Sequence, residues 1–387
     1  MHVLAITRLF PNAAAPLTAP YNRLQLGALS EFCDVSVMAT LPWFPGARLA
    51  ARWSAAGRFD GVPYREQVDG MPVVHPRALY VPKVSGWVSP ALYAASLGPE
   101  LFKRRKDISV VLGAWAYPDG CAAVGVAQLL GVPAVVKVHG SDLNVLAYEP
   151  GPGKVLRRML PRADRVMVVS RALGQVARDL GVADERVAVV YNGVDSSRFF
   201  PADRAEARAE LGLSADGKLF VYVGNVLETK GIYDLLEAFR GVSGARLVIV
   251  GGGPAKERCD EAGDQVIAVG PRPHEEVPRW IAASDVLVLP SWAEGTPNVV
   301  LEALSCGRRV VATDVGGIPD LIDRELLGEL VPAKSPETLR GALQRAVERD
   351  YDPLEIARVG GRGDWADSGR ALHSLLEEVV AEHGARR

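Results

Sequence analysis

Glu294 and Glu302 stand eight positions apart in the stretch PSWAEGTPNVVLEALSCG, residues 290–307. An apolar run ends at Ser291, a loop carries Glu294 and Gly295, and helical spacing begins just beyond. Thr296 reads as the N-cap and Pro297 as the first helical residue. The backbone N–H groups of Asn298, Val299 and Val300 would then lie at the positive end of a helix dipole, which is a site for an anion such as a pyrophosphate. Glu294 precedes that site, and Glu302 lies roughly one and a half turns into the helix. Carboxylates accept paired hydrogen bonds from sugar hydroxyls, so a sugar on one side of a pyrophosphate and a ribose on the other would use both. The same spacing also suits a capped helix with one exposed and one salt-bridged glutamate.

A cation belongs beside such an anion. In YVGNVLETKGIYDLLEAF (222–239) a strand reaches Gly224, and Lys230-Gly231 precede an amphipathic helix with Leu235, Leu236 and Phe239 on its apolar face. A lysine at that corner is suited to neutralise phosphate as a mobile point charge; it equally suits a solvated surface. His139 in VVKVHGSD closes another strand next to Gly140. In an open parallel sheet that end of the strand faces the ligand crevice, although lone histidines also serve structural roles. LVIVGGGPAKERC (247–259) resembles a dinucleotide-binding turn only in part. Gly251 and Gly253 fit the pattern, but Lys256 replaces the third glycine that lets helix and strand pack closely.

Positioning these residues requires a repeated strand–helix frame. Apolar runs at 2–6, 34–39, 109–114, 134–139, 165–170 and 186–191 alternate with helical stretches such as CAAVGVAQLLG and RALGQVARDLG. The rhythm restarts at 218–224, 245–251, 265–270, 285–291 and 308–314. This is βαβ patterning, and the fold class it predicts is α/β with two doubly wound parallel sheets. The turn-rich YNGVDSSRFFPADR (191–204) separates the series. The expected domains are 1–195 and 196–367, with a C-terminal helix over about 368–387 packing back on the first. Two such domains ordinarily face each other across a cleft lined by strand ends.

Composition narrows the function. The chain has 387 residues and a net charge of −2, unevenly spread. Residues 1–200 carry 22 Lys and Arg against 15 Asp and Glu, and residues 201–387 carry 22 against 31. FKRRKD (102–107) and GKVLRRMLPRADR (153–165) give the first half its basic character. These runs suit solvated helix faces or an anionic lipid surface or phosphate-bearing acceptor. They lack the aromatic interleaving of a nucleic-acid stripe, so no nucleic-acid partner is expected. Cys33, Cys121, Cys259 and Cys306 are far apart and form no C-x-x-C pair, and they read as reduced thiols in a cytoplasmic protein. No apolar run reaches bilayer length, and no signal-peptide cleavage pattern follows the N-terminus.

Together these stretches resemble the retaining glycosyltransferases of family 4, which have the GT-B fold: two Rossmann-like domains facing each other across a cleft. The resemblance is specific over roughly 190–335, through YNGVD…RFFP, G-x(5)-K-G, VGGGP, WIAASDVLVLPSWAEG…LEALSCG and DVGGIPDLI. The pair E-x(7)-E, Glu294 and Glu302, is the family's mark. The resemblance implies a nucleotide-sugar donor, UDP- or GDP-linked, in the second domain and a glycan or lipid-linked acceptor mainly in the first. It implies that Glu302 holds the ribose, Glu294 contacts the donor sugar, Lys230 contacts the diphosphate and His139 lies beside the reacting sugar. The donor set would be completed by Gly224, Asn225, Gly252, Gly295, Thr296, Pro297, Asn298 and Val299, with Gly270 and Arg272 beside the nucleobase. Asp119, Gly140 and Asp142 would lie near the acceptor. No metal and no cofactor are expected, since cationic side chains and a helix N-terminus stand in for an ion and the nucleotide-sugar is itself a substrate. A cytoplasmic enzyme, peripheral at the inner membrane face, is the implied setting.

The chain departs from that pattern in places. Gly224-Asn225 stands where the family commonly has Gly-Arg, so one fixed cation is missing and Asn225 offers a neutral hydrogen bond instead. The first loop, RLFPNAAAPLTAPYNR, lacks the usual glycines, and VLGAWAYPDG lacks a histidine often found there. Two rivals follow: a nucleotide-sugar epimerase or sugar phosphorylase on the same fold, and an inactive carbohydrate- or nucleotide-binding protein.

Overall fold

The computed structural model describes residues 1–16, 18–50, 55–79, 89–104 and 107–386. Arg105 and Lys106 of the basic run lie outside the described residues. The chain divides into two compact units, Met1–Asn192 with Trp365–Arg387, and Gly193–Asp364.

The first unit contains β1 (His2–Thr7), β2 (Asp34–Ala39), β3 (Leu41–Trp43), β4 (Arg65–Val68), β5 (Met71–Val74), β6 (Arg77–Leu79), β7 (Val110–Gly113), β8 (Ala134–Val138), β9 (Arg165–Val168) and β10 (Val187–Val189). Eight of these form one sheet in the order β10-β9-β8-β7-β1-β2-β5-β4, parallel except for β4 against β5. Alternation along each strand divides the core. Leu4 and Ile6 pack with Val111, Val136 and Val138 under the helices that carry Leu97 and Val124. Val3 and Ala5 pack with Val110, Leu112 and Val135 against Leu26, Leu29, Leu372 and Leu376. Both faces are therefore covered, which is why these strands read as largely apolar runs.

The helix Trp365–Ala385 packs in this unit, alongside helix Pro20–Ser30. Gln25 Nε2 donates to Ser368 Oγ at 2.8 Å, and Ser368 Oγ donates to the Tyr191 carbonyl at 2.8 Å. Arg165, 9% exposed, reaches Glu378 and Glu382 at 2.9 Å each.

The second unit holds β11 (Lys218–Val223), β12 (Ala245–Val250), β13 (Val266–Gly270), β14 (Val286–Leu289), β15 (Arg309–Thr313) and β16 (Gly328–Val331). Their order is β13-β12-β11-β14-β15-β16, all parallel. The order reverses between β11 and β14, so the loops at their carboxyl ends open a crevice at a topological switch point. The equivalent point in the first unit lies between β1 and β7. Among the described residues no helix is long and apolar enough to cross a membrane.

Candidate functional site

In the second unit the switch point gathers the charged residues. After β11 the chain passes Gly224 and Asn225, and the Tyr222 hydroxyl donates to the Asn225 carbonyl at 2.6 Å. A 3-10 turn, Glu228–Lys230, ends at Gly231. Gly231 has φ 70°, and a Cβ there would sit 1.9 Å from the Pro290 carbonyl oxygen. Only glycine lets the β11 loop lie this close to the β14 loop, and that contact sets Lys230 over the end of β14.

Lys230 Nζ donates to Glu294 Oε1 at 2.6 Å, and Ser291 Oγ donates to the same oxygen at 2.7 Å. The pair is partly buried, with Lys230 29% and Glu294 12% exposed. Trp292 steadies the loop through Nε1 on Asp234 Oδ2 at 2.7 Å, and the Lys334 ammonium lies 4.3 Å from its ring centre. The Gly317 N–H donates to the Gly295 carbonyl at 2.6 Å, which brings the DVGGIPD loop under Glu294. Burial first, and the nearby Glu294 charge second, hold the Tyr222 phenol well above its ordinary value.

The next helix begins one residue later than the sequence predicts. It runs Asn298–Ser305, with Pro297 at the N-cap in an extended conformation and no side-chain cap. Thr296 is not the cap, and Pro297 is not the first helical residue. The Val300 N–H is not open either, because it donates to the Pro297 carbonyl at 3.1 Å. The N-cap carbonyl takes the first intrahelical bond, and a proline can fill that position with its carbonyl alone. Glu302 therefore lies about one turn into the helix rather than one and a half.

Glu302 Oε1 is 3.2 Å from His274 Nε2. Nothing in the sequence around His274 marks it as a partner of Glu302. The pairing spans 28 positions and is formed by tertiary structure. The hydrogen bond to Glu302 chiefly raises the His274 pKa, with burial opposing it. Arg272, on the same loop, places its guanidinium 5.9 Å from the Trp280 ring centre. The VGGGP loop lies against the loop after β11: the Val226 N–H donates to the Gly252 carbonyl at 2.9 Å. A Cβ on Gly251, at φ 155°, would be 1.8 Å from the Gly224 carbonyl oxygen, so the run of glycines serves close loop packing.

The first unit assembles a different cluster at its strand ends. Asp142, fully buried, accepts from the N–H groups of Ala116 (3.0 Å), His139 (3.1 Å) and Gly140 (2.7 Å). It thereby fixes the chain as it leaves β8. The His139 ring lies 4.6 Å from the Tyr21 ring and stacks on Trp115 at 5.8 Å. Asp119, also buried, accepts the Arg8 N–H at 3.1 Å, joining the ends of β7 and β1. Burial raises the Asp119 carboxyl to about 6.

Lys137 interrupts the apolar run of β8. It is 1% exposed, and among the described residues its Nζ has no hydrogen-bond partner. Burial lowers its pKa to about 7, with Asp142 opposing. Burial, then the Lys137 charge, push the His139 imidazole well below its ordinary value. The detectable signal was a lone lysine inside a core strand. Among the described residues no group of three or more His, Cys, Asp or Glu is arranged to hold a metal.

Two parallel-sheet Rossmann-like units with charged loops at the switch points define a GT-B glycosyltransferase fold. The comparisons carry this to a family. Residues 48–198 match the model for Glycosyltransferase Family 4, and residues 217–349 match the model for Glycosyl transferases group 1. The TuaC protein of Bacillus subtilis strain 168, assigned to teichuronic acid biosynthesis as a glycosyltransferase, is 32% identical over 98% of this chain and 99% of its own. The chain belongs to this glycosyltransferase family. The N-acetyl-alpha-D-glucosaminyl L-malate synthase of Bacillus anthracis is 28% identical over 66% of this chain and 73% of its own. Among solved structures, Anabaena HepE in complex with UDP aligns with TM-score 0.73 at 17% identity, covering 98% of this chain and all of that one. The same protein with UDP-glucose aligns at 0.67, covering 97% and 99%.

Proposed function

We propose that the protein is a retaining, metal-independent glycosyltransferase. It would move a hexosyl group from a UDP- or GDP-sugar to a hydroxyl of a glycan or glycolipid. The observation that carries this reading is the switch-point pair: Lys230 from the β11 loop on Glu294 from the β14 loop at 2.6 Å, with Glu302 on the helix that follows. Ligands of open α/β sheets bind at such points. The UDP and UDP-glucose held by HepE support a nucleotide-sugar donor, and the assignment of TuaC supports a polysaccharide-type acceptor.

In this reading Glu302 accepts from the ribose hydroxyls, Glu294 orients the donor sugar, and Lys230 turns to the diphosphate. Gly270 and Arg272 flank the base. Gly224, Asn225, Gly252, Gly295, Thr296, Pro297, Asn298 and Val299 form the phosphate and sugar walls. The bond from the anomeric carbon to the diphosphate oxygen breaks, and the acceptor oxygen bonds to that carbon on the same face. The acceptor's proton passes to the departing phosphate oxygen. Lys230 and the helix at Asn298 stabilise the charge that grows on the leaving group. His139 lies beside the reacting sugar, and Asp119, Gly140 and Asp142 serve the acceptor side.

The test is turnover of a panel of UDP- and GDP-sugars, with the anomeric configuration of the product read by NMR. A product with the donor's configuration supports the proposal. Inversion, or conversion of the donor without an acceptor by an epimerase or phosphorylase route, overturns it.

A further inference from the structure

His274 occupies the one carboxylate that the proposed reading reserves for the ribose. The vicinal hydroxyls of a ribose donate two hydrogen bonds, and a carboxylate takes both when its two oxygens are open. In this structure Glu302 Oε1 is already engaged by His274 Nε2 at 3.2 Å. Glu302 is only 13% exposed whereas His274 is 51% exposed, so the histidine covers the carboxylate from the solvent side. Phe199, 5.6 Å from the imidazole centre, backs the ring.

The backbone beneath His274 is held. Pro271 and Pro273 fix two φ angles just before it. The Glu276 N–H donates to the Pro273 carbonyl at 3.0 Å, and the Val277 N–H to the His274 carbonyl at 3.3 Å. Release of Glu302 is therefore a matter of side-chain rotation, for which the half-exposed imidazole has room.

We propose that His274 and the nucleotide's ribose compete for the Glu302 carboxylate, so that the donor site loads by displacing a histidine side chain. The inference rests on Glu302 being the ribose acceptor. The groups that face His274 are Glu302 from the Asn298–Ser305 helix, Glu275 on its own loop, and Arg198 from the segment that carries Phe199. The hydrogen bond to Glu302 is the largest influence and raises the His274 pKa. Protonated His274 holds Glu302 most firmly. Below the ordinary histidine value the pair is fully formed and competition is strongest. As pH rises through the raised value the proton leaves, the charged pair is lost, and the carboxylate opens to the nucleotide. Binding in that window also releases protons, because displaced His274 returns to its ordinary pKa.

The experiment is calorimetric titration with UDP, or with GDP if the protein takes a purine, from pH 5.5 to 8.5 in buffers of different ionisation enthalpy. Wild type, His274→Ala, His274→Gln and Glu302→Ala are compared. The terminal phosphate of the ligand titrates alike in all four, so the difference between proteins is the readout. At pH 6 the two His274 variants should bind about two- to fivefold tighter than wild type, the size of a half-exposed ion pair. They should converge with wild type by pH 8.5, and wild type alone should show the additional proton release. His274 variants that bind equally to wild type at every pH, or more weakly, overturn the proposal. If Glu302→Ala binds as tightly as wild type, the ribose role itself fails. If Glu302→Ala is weakened and the His274 variants show no pH-dependent difference, only the competition fails.

Discussion

The two units place charge at their strand ends in opposite ways. In the second unit Glu294 and Glu302 each hold a basic side chain, Lys230 at 2.6 Å and His274 at 3.2 Å. In the first unit Lys137 is buried with an amine that no described neighbour satisfies, and among the described residues His139 Nε2 likewise lacks a partner. The first arrangement pairs its groups with one another. The second removes charge by desolvation: Lys137 falls to about 7, and His139 is kept uncharged at neutral pH. A site for a diphosphate needs charged groups at hand, and ion pairs store them without a large burial penalty. In the proposed reading the first unit meets a neutral hydroxyl, which has no such need, and its unsatisfied buried polar atoms carry a cost in stability.

The largest expected effect breaks the paired arrangement. Lys230→Ala should lower kcat by about 10²–10³, with a smaller change in donor affinity, because a fixed cation helps most when the leaving group's charge has developed. Steady-state kinetics checks this, and turnover within about threefold of wild type would make Lys230 a surface lysine. Asn225→Arg adds a second cation beside the first and should partly rescue the loss.

Lys137→Met tests the unpaired arrangement through stability. Lys137 has a folded pKa of about 7 against an ordinary 10.5, so between those values the unfolded state binds the extra proton. Stability should therefore rise with pH from about 7 to 10.5, and the penalty is fully present below pH 7. The methionine variant should be more stable than wild type at pH 7 by about 1–4 kcal/mol and should lose that pH dependence. Denaturant unfolding at pH 7 and pH 9.5 decides; a less stable variant would mean that the amine has a partner after all.

The smallest effect concerns the outer surface of the first unit. Its excess of Lys and Arg, including the exposed Arg157 and Arg158 on helix Pro150–Met159, should favour anionic over neutral vesicles in co-sedimentation, and added salt should weaken the binding. Equal pelleting with both would leave those charges as a solvated face.

The same contrast explains what was legible in the sequence. Strands buried on both faces, such as β1, β8, β11 and β14, announce themselves as apolar runs. The strands β3–β6 and β16 do not. REQV of β4 sits at an antiparallel edge with half of its side chains exposed, β16 is the edge strand of its sheet, and β3 and β6 form a separate two-stranded pair. Lys230 and Glu294 were legible because they stand at strand-to-helix corners, and Glu302 was legible through its spacing from Glu294. His274 was not, since its meaning depends on a partner 28 positions away. Lys137 was hidden by the opposite cause: surrounded by valines, it looked like part of a strand. The helix start was misplaced by one residue because proline fits both the N-cap and the first helical turn, and the sequence carries no signal that separates them.

The central claim is that the second unit takes a nucleoside diphosphate through Glu302. Calorimetry of UDP and GDP with wild type and Glu302→Ala tests it most directly. The account predicts that one of the two ligands binds wild type and that the substitution weakens binding by about 1–3 kcal/mol, the loss expected for a charged acceptor. Unchanged affinity in a folded Glu302→Ala protein would contradict it.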